Sequence, residues 1–97
     1  MAAFLIVHLT VRDPDRMQTY AGSVGPTLTP FGGELLTRGA VADVLIGEHA
    51  HKTAAVLKFP DLASLRGWYH SDAYQALVPN RLEAADMTFI ACEEPSA

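Results

Sequence analysis

Apolar and polar positions along the chain change period several times, and each change marks an element. From Phe4 to Val11 the residues are apolar and often β-branched, which predicts a strand. Arg12-Asp13-Pro14-Asp15 then reads as a helix start. Asp13 can cap the first free amides, Pro14 fits the first helical position, and Asp15 faces the positive end of the helix dipole. Met17, Tyr20, Ala21 and Val24 recur at helical spacing. Leu28 and Phe31 extend that stripe across Gly25-Pro26, where a kink or interruption is expected. Gly32-Gly33 supplies a left-handed stop.

Glu34 to Arg38 predicts a second strand, Asp43 to Ile46 a short one after the Gly39 turn, and Thr53 to Phe59 a third main strand. Gly47 to His51 reads as a polar loop between them. Pro60-Asp61 ends the third strand and caps a helix with the stripe Leu62, Leu65 and Tyr69, with Trp68 beside it. Ser71 or Asp72 can cap a further helix carrying Tyr74, Leu77, Val78, Arg81 and Leu82. Met87 to Glu93 is the final strand. The order β-α-β-β-α-β, with one extra short strand, predicts an α+β fold of the ferredoxin-like sandwich type.

The outer strands carry quaternary information. Leu5, Val7, Leu9 and Val11 alternate with Phe4 and Ile6, and Met87, Phe89 and Ala91 with Ile90 and Cys92, so both registers are apolar. A sheet with one wet face alternates apolar with polar, so both faces are expected to be buried. Helices cover one of them. A second copy of the chain, sheet to sheet, is the expected cover for the other.

Composition narrows the class without naming a reaction. The 97 residues are 49% hydrophobic and 19% charged, which excludes a disordered chain and bounds the fold to one domain. An ordered core over about 4–93 and a loose tail from Glu93 to Ala97 are expected. Seven basic against eleven acidic residues give a net charge of -4, which argues against nucleic acid or an anionic membrane as partner. No apolar run reaches the ~20 residues of a membrane span, and the start lacks the basic lead and cleavage site of a signal peptide. Cys92 is the sole cysteine, so a reducing cytoplasm is the expected location. Its expected role is that of a small buried hydrophobe.

Several groups could carry chemistry. Glu48-His49-Ala50-His51 has two histidines that would share a strand face, but no third ligand stands at a recognisable spacing, so an exposed loop without a metal is expected. No other cofactor motif is present: the chain has no phosphate loop, no Gly-x-Gly-x-x-Gly and no Gly-x-Ser-x-Gly. His8 lies mid-strand, as a core or interface histidine or as a catalytic one. Arg38 on a strand and Arg81 on an apolar helical stripe each need a carboxylate partner or an anionic ligand. Trp68-Tyr69-His70-Ser71 with Tyr74, joined by Tyr20, concentrates rings, hydroxyls and an imidazole around one helix break. That is either ordinary packing or a pocket wall for a flat ligand.

The series Asp13-Pro14, Tyr20, Phe31-Gly32-Gly33, Arg38-Gly39, Phe59-Pro60, Trp68-Tyr69-x-Ser71-x-x-Tyr74-Gln75 and Arg81 resembles the domain-of-unknown-function family 1330, from about Phe4 to Glu93. The resemblance implies a dimeric α+β barrel but no established reaction. Related barrels house cofactor-free monooxygenases, isomerases, lyases, heme enzymes and proteins with no known activity. By position, the recurrent polar residues of the pattern fall on Tyr20, Arg38, Ser71, Tyr74 and Arg81, with Trp68 and Tyr69 beside them. Met17 departs from the pattern where an aromatic is common, and His49 and His51 replace the usual turn residues. The expectation is a cofactor-independent enzyme acting on a small aromatic or carboxylate metabolite in a pocket between helices and sheet. Tyr74, His70 or His8 would move protons there, and Arg38 and Arg81 would converge on the anionic group. The competing expectation is a non-catalytic ligand-binding or stress-associated protein.

Overall fold

The computed structural model describes residues 1–95, so the tail expected at Ser96 and Ala97 lies outside the described residues. Four strands, β1 (Ala3–Val11), β2 (Glu34–Ala40), β3 (Thr53–Phe59) and β4 (Ala85–Glu93), form one antiparallel sheet in the order β2-β3-β1-β4. Among the described residues four helices accompany it: α1 (Pro14–Leu28), α2 (Leu62–His70), α3 (Asp72–Gln75) and α4 (Val78–Ala84). The single helix expected to carry Tyr74 through Leu82 is divided at Ala76 and Leu77, because Pro79 has no amide to continue the first helix and fits the opening turn of a new one. This is the expected α+β, ferredoxin-like arrangement. Glu93 does not belong to a loose tail. It pairs with Ala3 at the end of β4, and the Glu94 amide donates to the Ala2 carbonyl.

Each helix starts where the local chemistry places it. The Asp13 carboxylate accepts from the amides of Asp15 and Arg16, both at 3.2 Å, and Pro14 occupies the first turn. Asp61 accepts from the Ser64 amide at 2.7 Å, and these bonds hold its carboxyl below the usual carboxylate range. Pro26 does not interrupt α1. It falls in the last turn and costs one amide bond, and the helix continues to Leu28 before a short 3-10 turn at Thr29–Phe31. Gly32 then ends the run with φ of 69°. A Cβ at Gly32 would stand 2.7 Å from the Pro60 ring, and one at Gly33 would stand 2.6 Å from Phe59, so both close approach and handedness demand glycine.

The core lies between helices and sheet. Leu5, Val7 and Leu9 of β1, Leu57 and Phe59 of β3, and Leu65, Trp68, Tyr20, Leu28 and Tyr74 of the helices are buried together. The alternate register of β1, with Phe4, Ile6 and His8, faces away and pairs across to Val56 and Ile90. This second face carries no helix. Cys92, opposite Phe4, is exposed there rather than buried.

The expected strand at Asp43–Ile46 does not form. Val41 to Lys52 is an irregular segment, with Leu45 and Ile46 94% and 93% exposed. Its two ends bond each other, Val41 amide to Lys52 carbonyl, and its one backbone bond to a strand runs from the Lys52 amide to the Leu9 carbonyl, so no ladder forms. His49 and His51 are not on an exposed tip. Both are half-buried and folded back onto the open sheet face, where His51 bonds the hydroxyls of Thr10 at 3.0 Å and Thr88 at 3.4 Å. The His49 ring meets His8 edge to face, centroids 4.5 Å apart.

Candidate functional site

The helix break after His70 organises the most polar part of the interior. Ser71 stops α2 and starts α3: its hydroxyl donates to the Trp68 carbonyl at 2.7 Å and accepts from the Tyr74 amide at 3.2 Å. That double use of one side chain turns Tyr74 inward, to complete burial, against Trp68 at 4.3 Å between ring centroids. The Trp68 indole donates to Thr27 Oγ1 at 3.0 Å, so α1 and α2 are joined by a satisfied buried hydrogen bond.

Tyr20 reaches the same place from α1. Its hydroxyl lies 2.8 Å from that of Tyr74. Arg81, on α4, donates from Nη1 to the Tyr74 hydroxyl at 2.8 Å, and its guanidinium carbon lies 5.2 Å from the Phe89 ring centroid and 5.9 Å from that of Tyr74. Burial works against the Arg81 charge, but the bond to Tyr74, its field and the Tyr69 phenol outweigh that cost, and the pKa moves up. Burial, followed by the neighbouring Tyr74, pushes the Tyr20 phenol far above the usual range. Tyr20 therefore keeps its proton and acts as a hydrogen-bonding group, not as a phenolate base.

That shift carries a sign. The folded state retains the Tyr20 proton where the unfolded chain, with a phenol pKa of about 10, releases it, so stability is full below that pH and declines above it. Denaturation midpoints measured from pH 8 to 11 should fall over the alkaline end, and Tyr20→Phe should flatten the decline. An equally steep decline in Tyr20→Phe would place its origin elsewhere.

Arg81 has no carboxylate partner among the described residues. Glu83, two residues on and so turned away from Arg81 on α4, pairs with Arg16 at 3.6 Å, and Arg16 also meets Asp13 at 3.5 Å. The guanidinium carries five N–H donors and no acceptor, so the single bond to Tyr74 leaves donors to spare. Beside it, Leu5, Leu65, Arg66, Tyr69, His70, Phe89 and Ala91 line a cleft of about 230 Å³ between α2 and the β1–β4 half of the sheet. Arg81 is not in this lining; it lies behind Phe89, its guanidinium carbon 5.2 Å from that ring's centroid, while the His70 ring stands edge to face with Tyr69, centroids 5.2 Å apart.

The structure thus gathers Tyr20, Tyr69, His70, Ser71, Tyr74 and Arg81 in one region, with Trp68 buried behind them. It does not bring Arg38 or His8 there. Arg38 is on β2 and Phe89 on β4, the two edges of the sheet, so Arg38 and Arg81 do not converge in one chain. His8 lies on the opposite sheet face, among His49 and His51. No group of three His, Cys, Asp or Glu side chains is arranged to hold a metal among the described residues. Phe89 and Arg66 escaped the sequence reading. The signal for Phe89 was its register with Val7, which puts it on the helix-covered face.

The family described as Domain of unknown function (DUF1330) matches residues 2–95, nearly the whole chain. The chain belongs to this family. No curated protein matches it. Among solved structures, a protein of unknown function from Rhodopseudomonas palustris is similar over 99% of this chain and 84% of its own, with 18% identity and a TM-score of 0.75. A dimeric ferredoxin-like protein of unknown function from a Jannaschia species covers 97% of this chain and 100% of its own, at 13% identity and a TM-score of 0.75. SnoaB, a cofactor-independent oxygenase from Streptomyces nogalater, covers 99% and 95%, at 6% identity and a TM-score of 0.68. At such identities the family's likeness to these proteins is one of fold.

Proposed function

We propose that the chain is a homodimer that binds a small aromatic or carboxylate metabolite in the cleft beside Arg81 and acts on it by cofactor-independent acid–base chemistry. The observation that carries this reading is the Arg81 guanidinium, held by the Tyr74 hydroxyl against two aromatic rings with no carboxylate partner among the described residues. A cation kept in that setting suits an oxygen that carries or develops negative charge. Tyr20 and Tyr74 position it, since their linked hydroxyls fix the atom to which Arg81 donates. His70, on the cleft wall and exposed to solvent, is the group suited to exchange a proton between substrate and water. The rings of Tyr69 and Phe89 supply flat apolar walls. A fold shared with a cofactor-independent oxygenase supports chemistry without a prosthetic group. A cytoplasmic location follows from the same reading; no helix among the described residues is long and apolar enough to cross a membrane.

The competing reading is a ligand-binding protein without turnover, favoured by the complete burial of Tyr74. Native mass spectrometry of the purified protein and thermal shifts with an aryl carboxylate panel separate the two. A ligand that fits should stabilise the protein by ~2.7 kcal/mol at a hundred times its dissociation constant. Arg81→Met should abolish that gain yet cost the free protein only about 1 kcal/mol, because Tyr74 keeps its bond to Tyr20. If the bound compound is turned over, His70→Ala should slow turnover by about 100-fold or more. Binding without turnover selects the second reading. A badly destabilised Arg81→Met with no carboxylate response in the wild type would make Arg81 structural and end both.

A further inference from the structure

A second cleft lies across the sheet from the Arg81 region. It runs between α1 and the β2–β3 half of the sheet, has a volume of about 330 Å³, and is lined by apolar side chains such as Leu9, Met17, Val24, Leu35 and Leu57. Arg38 is the sole charged group in the lining, and the Thr53 hydroxyl is the other polar side chain. We propose that this cleft is a separate binding site for a monocarboxylic acid with an apolar tail or ring, its carboxylate held by Arg38.

Three observations support that assignment independently of the Arg81 site. Packing comes first. Protein interiors are close-packed, and α1 leaves an apolar gap over β2 and β3 that its own side chains do not fill. Val11 and Leu35, both in the lining, remain 41% and 51% exposed although each is large and apolar. Met17, half-buried and flexible, lies in this lining as well.

Size comes second. At ~30 Å³ for each water-sized group, 330 Å³ takes about eleven non-hydrogen atoms, the scale of a medium-chain or aryl acid.

Charge comes third. Arg38 is exposed on edge strand β2, so it does not need the partner expected of a buried arginine. It makes no ion pair or side-chain hydrogen bond among the described residues, and no acid enters the lining. A guanidinium fork matches a carboxylate in a two-point contact. One cation at the edge of an otherwise apolar cleft matches a single charge on an otherwise apolar molecule. A phosphate monoester, with more charge and more acceptors, would find too few donors.

Titration of the isotopically labelled protein with octanoate, followed by amide shifts, tests this directly. Saturable shifts are expected at Val24, Gly25, Leu35 and Thr53, and not at Tyr69 or His70. Octanamide, neutral but of the same shape, should bind about tenfold more weakly or worse, and Arg38→Gln should weaken octanoate by a similar factor. Ala21→Phe, which places a ring into the cleft, should block binding without touching the cation. Lys58→Gln, which removes an exposed cation outside both clefts, should leave octanoate binding unchanged. Absence of saturable shifts, equal affinity for acid and amide, or binding that survives Arg38→Gln would overturn the proposal. Octanoate lost in Arg81→Met but kept in Arg38→Gln would overturn it too, while upholding the Arg81 site.

Discussion

Replacing Ile6 by Asp is expected to convert a dimer into a monomer or to unfold the chain. Ile6 sits at the centre of β1 on the face that carries no helix, directly across from Val56 on β3 and Ile90 on β4. In the paired state a carboxylate there would lie among apolar side chains with no cation opposite, and an unpaired buried charge costs several kcal/mol. Light scattering of the wild type should give twice the chain mass at micromolar concentration. Ile6→Asp should give the chain mass or an unfolded spectrum. Leu82→Asp is the control: Leu82, on α4, is 60% exposed, and its replacement should change neither mass nor stability appreciably. A wild type that remains monomeric and stable at that concentration would remove the dimer from the proposed function. The argument for pairing is local. Phe4 and Ile6 of β1 with Val56 and Ile90 beside Ile6 give the helix-free face an apolar patch that a second copy would cover.

Trp68→Ala should cost about 3–5 kcal/mol, in a domain whose whole stability is about 5–15 kcal/mol. Trp68 is 1% exposed and wedged between Phe59, at 5.5 Å, and Tyr74, at 4.3 Å. Truncation leaves a cavity below the Tyr74 ring and deprives Thr27 Oγ1 of its indole donor. Thr27 is itself buried, so that oxygen gains no water in exchange. Urea denaturation should show a much lower midpoint or no folded baseline. Trp68→Phe separates packing from bonding: it retains most of the ring volume and should recover more than half of the loss. A small loss in Trp68→Ala would mean that α2 is not held to the sheet through this ring. Because the Tyr20–Tyr74–Arg81 bonds rest on the same packing, any ligand response at the Arg81 cleft should vanish along with it.

Much of this architecture was legible from local chemistry. Asp13, Asp61 and Ser71 announce helix starts because a short oxygen-bearing side chain meets free amides wherever a helix begins. Gly32 announces a stop because it can adopt the left-handed geometry and leaves room for Pro60. The double apolar register of β1 needed no partner strand to be read. Where the expectation failed, a local pattern had been asked for a non-local answer. Asp43–Ile46 has strand-like residues, but strands form by pairing, and this segment pairs with neither edge strand, β2 or β4. His49 and His51 read as solvated because polar loops commonly are; Thr10 and Thr88, distant in sequence, draw His51 onto the sheet.

The sequence by itself therefore determined the order of elements, their caps and stops, and which face of each strand and helix is apolar, because these depend on residues within a turn or two of one another. The tertiary structure alone decided which chemistry meets. Tyr20 and Tyr74, 54 residues apart, share a hydrogen bond because α1 and α3 come together on one side of the sheet. Arg16 meets Glu83, distant in sequence, because α1 lies beside α4, while Arg81 of the same helix turns to Tyr74. Arg38 and Arg81, alike as arginines on apolar elements, are parted because β2 joins the sheet outside β3 while β4 joins outside β1. Period and composition fix where a side chain points on its own element; lateral position in a sheet comes from backbone pairing between distant segments, which no single stretch of the chain encodes.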